Sequence, residues 1–147
     1  MNAAALVVLD TNIVLDLFLF QDQRRPHLHQ RLQSGQVQWW ATAAMRAELA
    51  HVLGYPHLAA KLAFYQKSAA EVLAAFDASA CLTEPPAAKA PFTCKDADDQ
   101  IFIDLAASLA QAYPHHRVSL LSKDKAVLAL RKRLERLTIF VSAGDLA

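Results

Sequence analysis

Leu6-Val7-Val8-Leu9-Asp10-Thr11-Asn12-Ile13-Val14-Leu15 is the stretch on which the fold turns. Its first four residues are an uninterrupted, β-branched apolar run, the pattern of a strand covered on both faces. The run stops at Asp10. From Asn12 onward Ile13, Leu17 and Phe20 recur at helical spacing, so the chain passes directly from a buried strand into an amphipathic helix. Ala3 to Phe20 is mostly apolar, but it lacks a basic start and is interrupted by Asp10, Asn12 and Asp16. A membrane span or signal core would not bear those polar groups, so no membrane association is expected and the cytoplasm is the expected compartment.

The same alternation of strand and helix extends along the chain. A break at Arg24-Arg25-Pro26 precedes a second amphipathic stretch with Leu28 and Leu32, which Gly35 ends. Val37 to Ala41 reads as a strand, and Thr42 as the N-cap of a helix carrying Met45, Leu49, Val52 and Leu53 on one face. Gly54-Tyr55-Pro56 closes that helix, and a long Ala-rich helical region runs from about Leu58 to Ala78. A brief strand is expected at Ala80 to Leu82, followed by an extended surface loop, Thr83 to Pro91. A helix opening at Asp98 or Asp99 buries Phe102, Leu105, Ala106 and Leu109. The strand Val118 to Leu121 ends at Ser122, a helix from Asp124 bears Val127, Leu128 and Leu130, and Thr138 to Val141 is the last strand. Strands alternating with helices predict an α/β chain with helices on both faces of a mainly parallel sheet.

The chain has 147 residues, 54% hydrophobic and 20% charged, with a net charge of +1. That suits a single domain over residues 1–147, able to bury roughly 68–70% of its unfolded surface. A near-neutral balance excludes a nonspecific nucleic-acid coat protein. Cys81 and Cys94 are the only cysteines, too few for a disulfide framework or a zinc knuckle, and they read as reduced, partly buried thiols.

Ligands of parallel α/β sheets collect beyond the carboxyl ends of the strands, where strand order reverses. Asp10 and Asp124 stand at such ends. Glu48, three residues after Met45 and four before Val52, shares their apolar side of the helix, and Asp99 sits at a helix N-terminus facing the core edge. Each also has a plainer reading: Asp10, Asp99 and Asp124 as helix caps, Glu48 as a solvated side chain on a slightly rotated helix. If the four converge, their repulsion raises their pKa values unless a cation sits among them. An all-oxygen set favours Mg²⁺ or Mn²⁺ over Zn²⁺. Asp16 and Asp104 fall on outward faces and read as solubilising.

Leu9-Asp10-Thr11-Asn12-Ile13-Val14-Leu15, Arg46-Ala47-Glu48-Leu49, the stretch Asp96 to Ala106, and Leu121-Ser122-Lys123-Asp124-Lys125 together resemble the PIN-domain nucleases, in particular the VapC-like toxins of prokaryotic toxin-antitoxin pairs. The likeness runs from about Leu6 to Val141. It implies a three-layer α/β/α sandwich with a central sheet of four to five strands, and Mg²⁺- or Mn²⁺-dependent endoribonuclease activity. The family's acidic quartet falls on Asp10, Glu48, Asp99 and Asp124 as catalytic residues, with Asp10, Asp99 and Asp124 as metal ligands. Asn12 would orient the first acid or a metal-bound water, and Ser122 takes the hydroxyl position before the last acid. Asp96 and Asp98 compete for the third slot; Asp99 is favoured because Phe102, Ile103 and Ala106 then fall in the family's register. The chain departs from the pattern at Lys123, where relatives often carry glycine or arginine, and at Ala126, which replaces a common acid and favours one ion over two. An antitoxin partner and a homodimer are further implications.

Lys123, Lys125, Arg131, Lys132, Arg133 and Arg136 face only Asp124 and Glu135, a local charge of +4 that leaves −3 for the remainder. Lys123, Lys125, Arg131 and Lys132 are accordingly candidates to track RNA phosphates, with Arg24, Arg25 and Arg31 extending the basic face. Of Trp39 and Trp40 one is expected in the core. His115-His116 is read as a solvent-facing turn. Two other function classes compete with the nuclease. One is a haloacid-dehalogenase-like or receiver-type phosphotransfer protein, although Asn12 stands where the former needs an acid. The other is a catalytically silent PIN scaffold that binds a protein.

Overall fold

In the computed structural model, which describes residues 4–20 and 25–146, five strands form an all-parallel sheet: β1 (Ala5–Leu9), β2 (Val37–Ala41), β3 (Ala80–Leu82), β4 (Val118–Leu121) and β5 (Ile139–Ser142). Their order is β3-β2-β1-β4-β5. The chain therefore steps outward in one direction from β1 through β2 to β3, then crosses back to β4 and continues to β5. Right-handed crossovers place the helices of these two runs on opposite faces. One layer holds α1 (Thr11–Phe18), α2 (Pro26–Ser34), α3 (Ala43–Leu53), α4 (Pro56–Phe64) and α5 (Ala69–Ser79); the other holds α6 (Gln100–Ala112), α7 (Lys125–Leu128) and α8 (Arg131–Glu135). Contacts of α1 and α3 with α5, and of α6 with β1, β4 and β5, fit that division. This is the three-layer α/β/α sandwich expected.

The continuous apolar runs end up covered on both sides, as read: Val7, Val8, Val118 and Leu120 are all fully buried. Strand order reverses between β1 and β4, so the crevice where ligands gather lies at the carboxyl ends of those two strands. The ladder continues one step further there, because the Asp10 N–H donates to the Leu121 carbonyl (3.1 Å). That bond pins Asp10 beside Ser122.

Several local expectations need correction. The long helix between Leu58 and Ala78 is two helices, α4 and α5. Gln66 adopts a left-handed backbone (φ 55°), and the Gln66 and Lys67 N–H groups return to the Ala63 and Leu62 carbonyls, a Schellman closure built without the usual glycine. Ser68 then opens α5 with a reciprocal capping box to Glu71. His116 is half-buried, its Nδ1 2.6 Å from the Ala4 carbonyl. Trp39 is the core tryptophan, as one of the pair was expected to be, and Trp40 stacks on Tyr113. Cys81 and Cys94 are unbridged.

The two acids read as solubilising are not. Asp104 is half-buried and accepts hydrogen bonds from the Ala90 N–H and Gln100 Nε2, both at 2.8 Å. Asp16 is buried, its Oδ2 3.2 Å from Arg25 Nη2 and 2.8 Å from Lys123 Nζ. Arg25 is thus no part of an exposed basic face: its guanidinium also donates to the Ala143 and Gly144 carbonyls. Arg24, assigned to the same face, lies outside the described residues. No helix among those residues is long and apolar enough to cross a membrane.

Candidate metal centre

Asp10 is held by its position as N-cap of α1. Its Oδ1 accepts from the Ile13 N–H (3.1 Å), and its Oδ2 accepts from the Ser122 hydroxyl. The Ser122 oxygen in turn accepts from the Asp124 N–H (3.1 Å), so one buried hydroxyl links the carboxyl ends of β1 and β4. Burial drives the Asp10 pKa up, against the two hydrogen bonds that lower it; nearby Asp124 pushes it further up.

Glu48 projects from α3 into the same cleft, half-buried, and its Oε2 accepts from Thr11 Oγ1 (2.9 Å). Its pKa is also raised, first by burial and then by the charges of Asp98, Asp10 and Asp96, with the Thr11 bond opposing. Thr11 was not anticipated as a site residue. Its place directly after Asp10 was visible, but that its hydroxyl reaches a helix remote in sequence was not.

Asp96 and Asp99 bracket a short 3₁₀ turn, Ala97–Asp99, that precedes α6; the Asp96 side chain caps the turn by accepting from the Asp98 N–H (3.1 Å). The cap expected of Asp99 is therefore supplied by Asp96, and the Asp99 carboxyl makes no capping bond. It lies against Asp124 instead. Asp124 caps α7 through its Oδ1 and the Ala126 N–H (2.7 Å). Burial, contact with Asp124 and the surrounding acidic charge push the Asp99 pKa up to about 8. Asp99 Oδ2 is buried with no hydrogen-bond partner. The carboxylate it faces has no proton to offer when ionised, so the pair needs either a shared proton or a cation.

Carboxylate oxygens of Asp96, Asp99 and Asp124 lie within 4.8 Å of one another. This is the tightest acidic grouping among the described residues, and it differs from the expected Asp10, Asp99 and Asp124. Asp96, read as a competitor of Asp99 for the third acidic position, stands in the grouping together with it, while Asp10 sits beside it with both oxygens engaged. Each carboxylate oxygen keeps a second lone pair, so Asp10 is not thereby removed from reach of a shared ion. An all-oxygen donor set, an orphaned buried carboxylate oxygen and raised carboxyl pKa values together fit a hard divalent cation.

The quartet Asp10, Glu48, Asp99 and Asp124 does converge, around a cleft of about 410 Å³ that Asn12, Asp96 and Asp98 also line. Asn12 is exposed at its mouth. The basic candidates are placed differently. Lys123, Lys125, Arg131 and Lys132 do not line the cleft. Lys123 is tied to Asp16, and Arg131 pairs with Glu135 beside a separate hollow shared with Arg117 and Phe140. The lysine that does line the cleft is Lys61 on α4, with His57 one turn before it. No charge run flagged these two, because they lie in an Ala-rich helix.

A family model described as the PIN domain matches residues 6–113. No curated protein and no solved structure matches the chain.

Proposed function

The chain belongs to the PIN-domain family, and from that premise we propose that it is a metal-dependent endoribonuclease acting at this carboxylate cleft, with Mg²⁺ or Mn²⁺ as its ion. The observation that carries the reading is the Asp96, Asp99 and Asp124 oxygens within 4.8 Å of one another, with Asp99 Oδ2 buried and unpartnered. These three residues would hold the ion, with Asp10 alongside. A divalent ion so held lowers the pKa of water and neutralises charge on a phosphodiester.

The protein's own groups do the rest. Ser122 fixes Asp10 Oδ2, and the Ile13 N–H fixes Oδ1, so this carboxyl keeps one orientation without paying entropy at each turnover. The Ala126 N–H engages Asp124 Oδ1 and fixes that carboxyl next to Asp99. Glu48, oriented by Thr11 Oγ1 and with a raised pKa, is more basic than an ordinary carboxylate and is placed to take a proton from the attacking water. Asn12 lies exposed at the mouth, placed to orient substrate or water.

The geometry counts against a phosphotransfer reading in which Asp10 is the nucleophile, since that carboxyl is 3% exposed with both oxygens hydrogen-bonded. The proposed biological setting is the toxin half of a toxin-antitoxin pair in the cytoplasm, with a homodimer as the working assembly. Its support is the likeness of the Asp-Thr-Asn start and the ordered acids to VapC-like proteins. Lys125 and Lys132, both exposed, remain proposed contacts to RNA outside the cleft.

Cleavage of RNA in Mn²⁺, comparing the wild type with Asp10→Asn and Asp99→Asn, tests the proposal. Both variants should lose more than the roughly 10–100-fold typical of an outer-shell partner. Equal activity in all three proteins would overturn it, and no activity in the wild type would overturn it in favour of the silent scaffold.

A further inference from the structure

The carboxylate cleft is also lined from α4 and its N-terminal flank, by Tyr55, His57, Leu58 and Lys61. His57 and Lys61 stand one helical turn apart, and Phe64 and Tyr65 follow one turn later, so the four form a single stripe. The stripe leads inward through rings. Tyr65 meets Phe64 edge-on at 5.0 Å (79°) and meets Phe20 edge-on at 5.6 Å (77°), and Phe20 itself lines the acidic cleft. A ladder of three aromatic rings therefore connects open solvent to the carboxylates, with Lys61 beside it.

Phe20 packs against the core, but the two outer rings of the ladder do not belong to it. Phe64 is 78% exposed and Tyr65 39%, at the end of a helix whose only buried residue is Leu58. A phenylalanine exposed to this degree contributes little to folding. Aromatic faces interleaved with cations and continuous with a phosphate-handling site are instead the physical signature of binding unpaired bases, which stack on rings while the backbone follows positive charge. The buried centre of a protein interface is, by contrast, depleted of charge.

We propose that His57, Lys61, Phe64 and Tyr65, with Phe20 at the inner end, form the platform on which unpaired bases of the substrate strand stack as its phosphate enters the carboxylate cleft. The proposal rests on the nuclease reading of that cleft and makes these residues specificity-determining, not catalytic. Duplex RNA, whose bases are already stacked, gains nothing from the ladder.

Fluorescence anisotropy with a labelled single-stranded RNA octamer and its matching duplex tests this, alongside steady-state cleavage of the same octamer. Phe64→Ala and Tyr65→Ala should each weaken single-strand binding roughly tenfold and leave duplex binding in place, with the cleavage loss carried by KM. Lys61→Gln should weaken binding less and flatten its salt dependence by about one contact. Phe64→Leu keeps apolar bulk without a ring and should lose as much as the alanine variant; Phe64→Trp should bind at least as tightly as wild type. Circular dichroism melts identify any variant that fails to fold.

Unchanged single-strand affinity in the Phe64 and Tyr65 variants, or wild-type binding in Phe64→Leu, overturns the platform. So does a wild type that binds no single-stranded RNA. A change in oligomeric state on gel filtration with RNA affinity intact assigns the face to protein contacts and likewise overturns it. Cleavage that persists equally in all these variants leaves the nuclease reading standing while the platform falls; octamer binding that depends on the rings in a protein that never cuts does the reverse.

Discussion

Asp10 and Asp16 stand at the two ends of the same short helix, α1, and are buried to the same degree, 3% and 4% exposed. Their surroundings are opposite. Asp16 faces a guanidinium and an ammonium, and its charge is answered by the fold itself. Asp10 faces a hydroxyl and a backbone N–H in a cleft lined by other acids, and among the described residues no cation bonds to it; Lys123, bonded to Asp16, lowers its pKa only through space, against burial and the charge of Asp124. A chain that solves the burial of one aspartate and leaves the other among like charges has kept a place for a cation that it does not encode. The contrast separates the acid that holds the fold from the acids that do chemistry.

The largest effect expected from this contrast is on stability at Asp16. Asp16→Ala strands the buried Arg25 guanidinium and should cost about 3–5 kcal/mol in urea denaturation. The damage should extend to the C-terminal segment that Arg25 holds through the Ala143 and Gly144 carbonyls. A cost under about 1 kcal/mol would remove Asp16 from the structural side of the comparison.

The pH dependence of the metal-free protein should come next in size and carries the opposite sign from ordinary acid denaturation. Asp10, Glu48 and Asp99 all have pKa values raised in the fold, Asp99 to about 8. The stability they contribute is complete below their unfolded pKa values, near 4, and is lost as pH rises toward 8. In chelator, the Tm should therefore fall between pH 5.5 and 8.5, and Asp99→Asn should remove much of that slope. A slope equal in wild type and variant would mean that the cleft acids are not its source.

Asp10→Asn should change metal-free stability by no more than about 1 kcal/mol, because asparagine keeps the N-cap bond to the Ile13 N–H and removes a poorly solvated charge. Set beside Asp16→Ala, it makes the comparison quantitative at equal burial. The smallest effect belongs to Lys123, which touches both regions: its ammonium pairs with Asp16 while its neighbour Asp124 closes the cleft. Its side chain is 40% exposed, so Lys123→Gln should cost about 0.5–1 kcal/mol in the same denaturation experiment.

Much of this architecture was legible in the sequence, and the reasons differ by element. The strands showed because continuous Val and Leu runs bounded by Asp10 and Ser122 admit few other readings. Gly35 marked a helix end because its backbone is left-handed (φ 78°). Gln66 does the same work without a glycine, and so the break between α4 and α5 stayed hidden in an Ala-rich run. The four carboxylates could be placed from helical period and strand ends. What period could not supply was pairing across the fold. Asp16 sits on a face that counts as outward until Arg25 and Lys123 arrive from remote segments, and Thr11 reaches Glu48 only once β1 and α3 are packed. The basic tail was conspicuous by charge, yet the cleft takes its lysine from α4, because which charges line a cleft depends on topology more than on their density along the chain.

The central claim is that a divalent cation answers at Asp96, Asp99 and Asp124 what Arg25 and Lys123 answer at Asp16. Thermal melting of the chelator-treated protein at pH 8, with and without Mn²⁺ at about 100 times its Kd, tests it most directly. Linkage then supplies about 2.7 kcal/mol, a rise in Tm of about 5–10 °C for a chain of this size, which Asp99→Asn should abolish and Lys123→Gln should retain. An unchanged Tm in the wild type, or an equal rise in Asp99→Asn, would contradict the account.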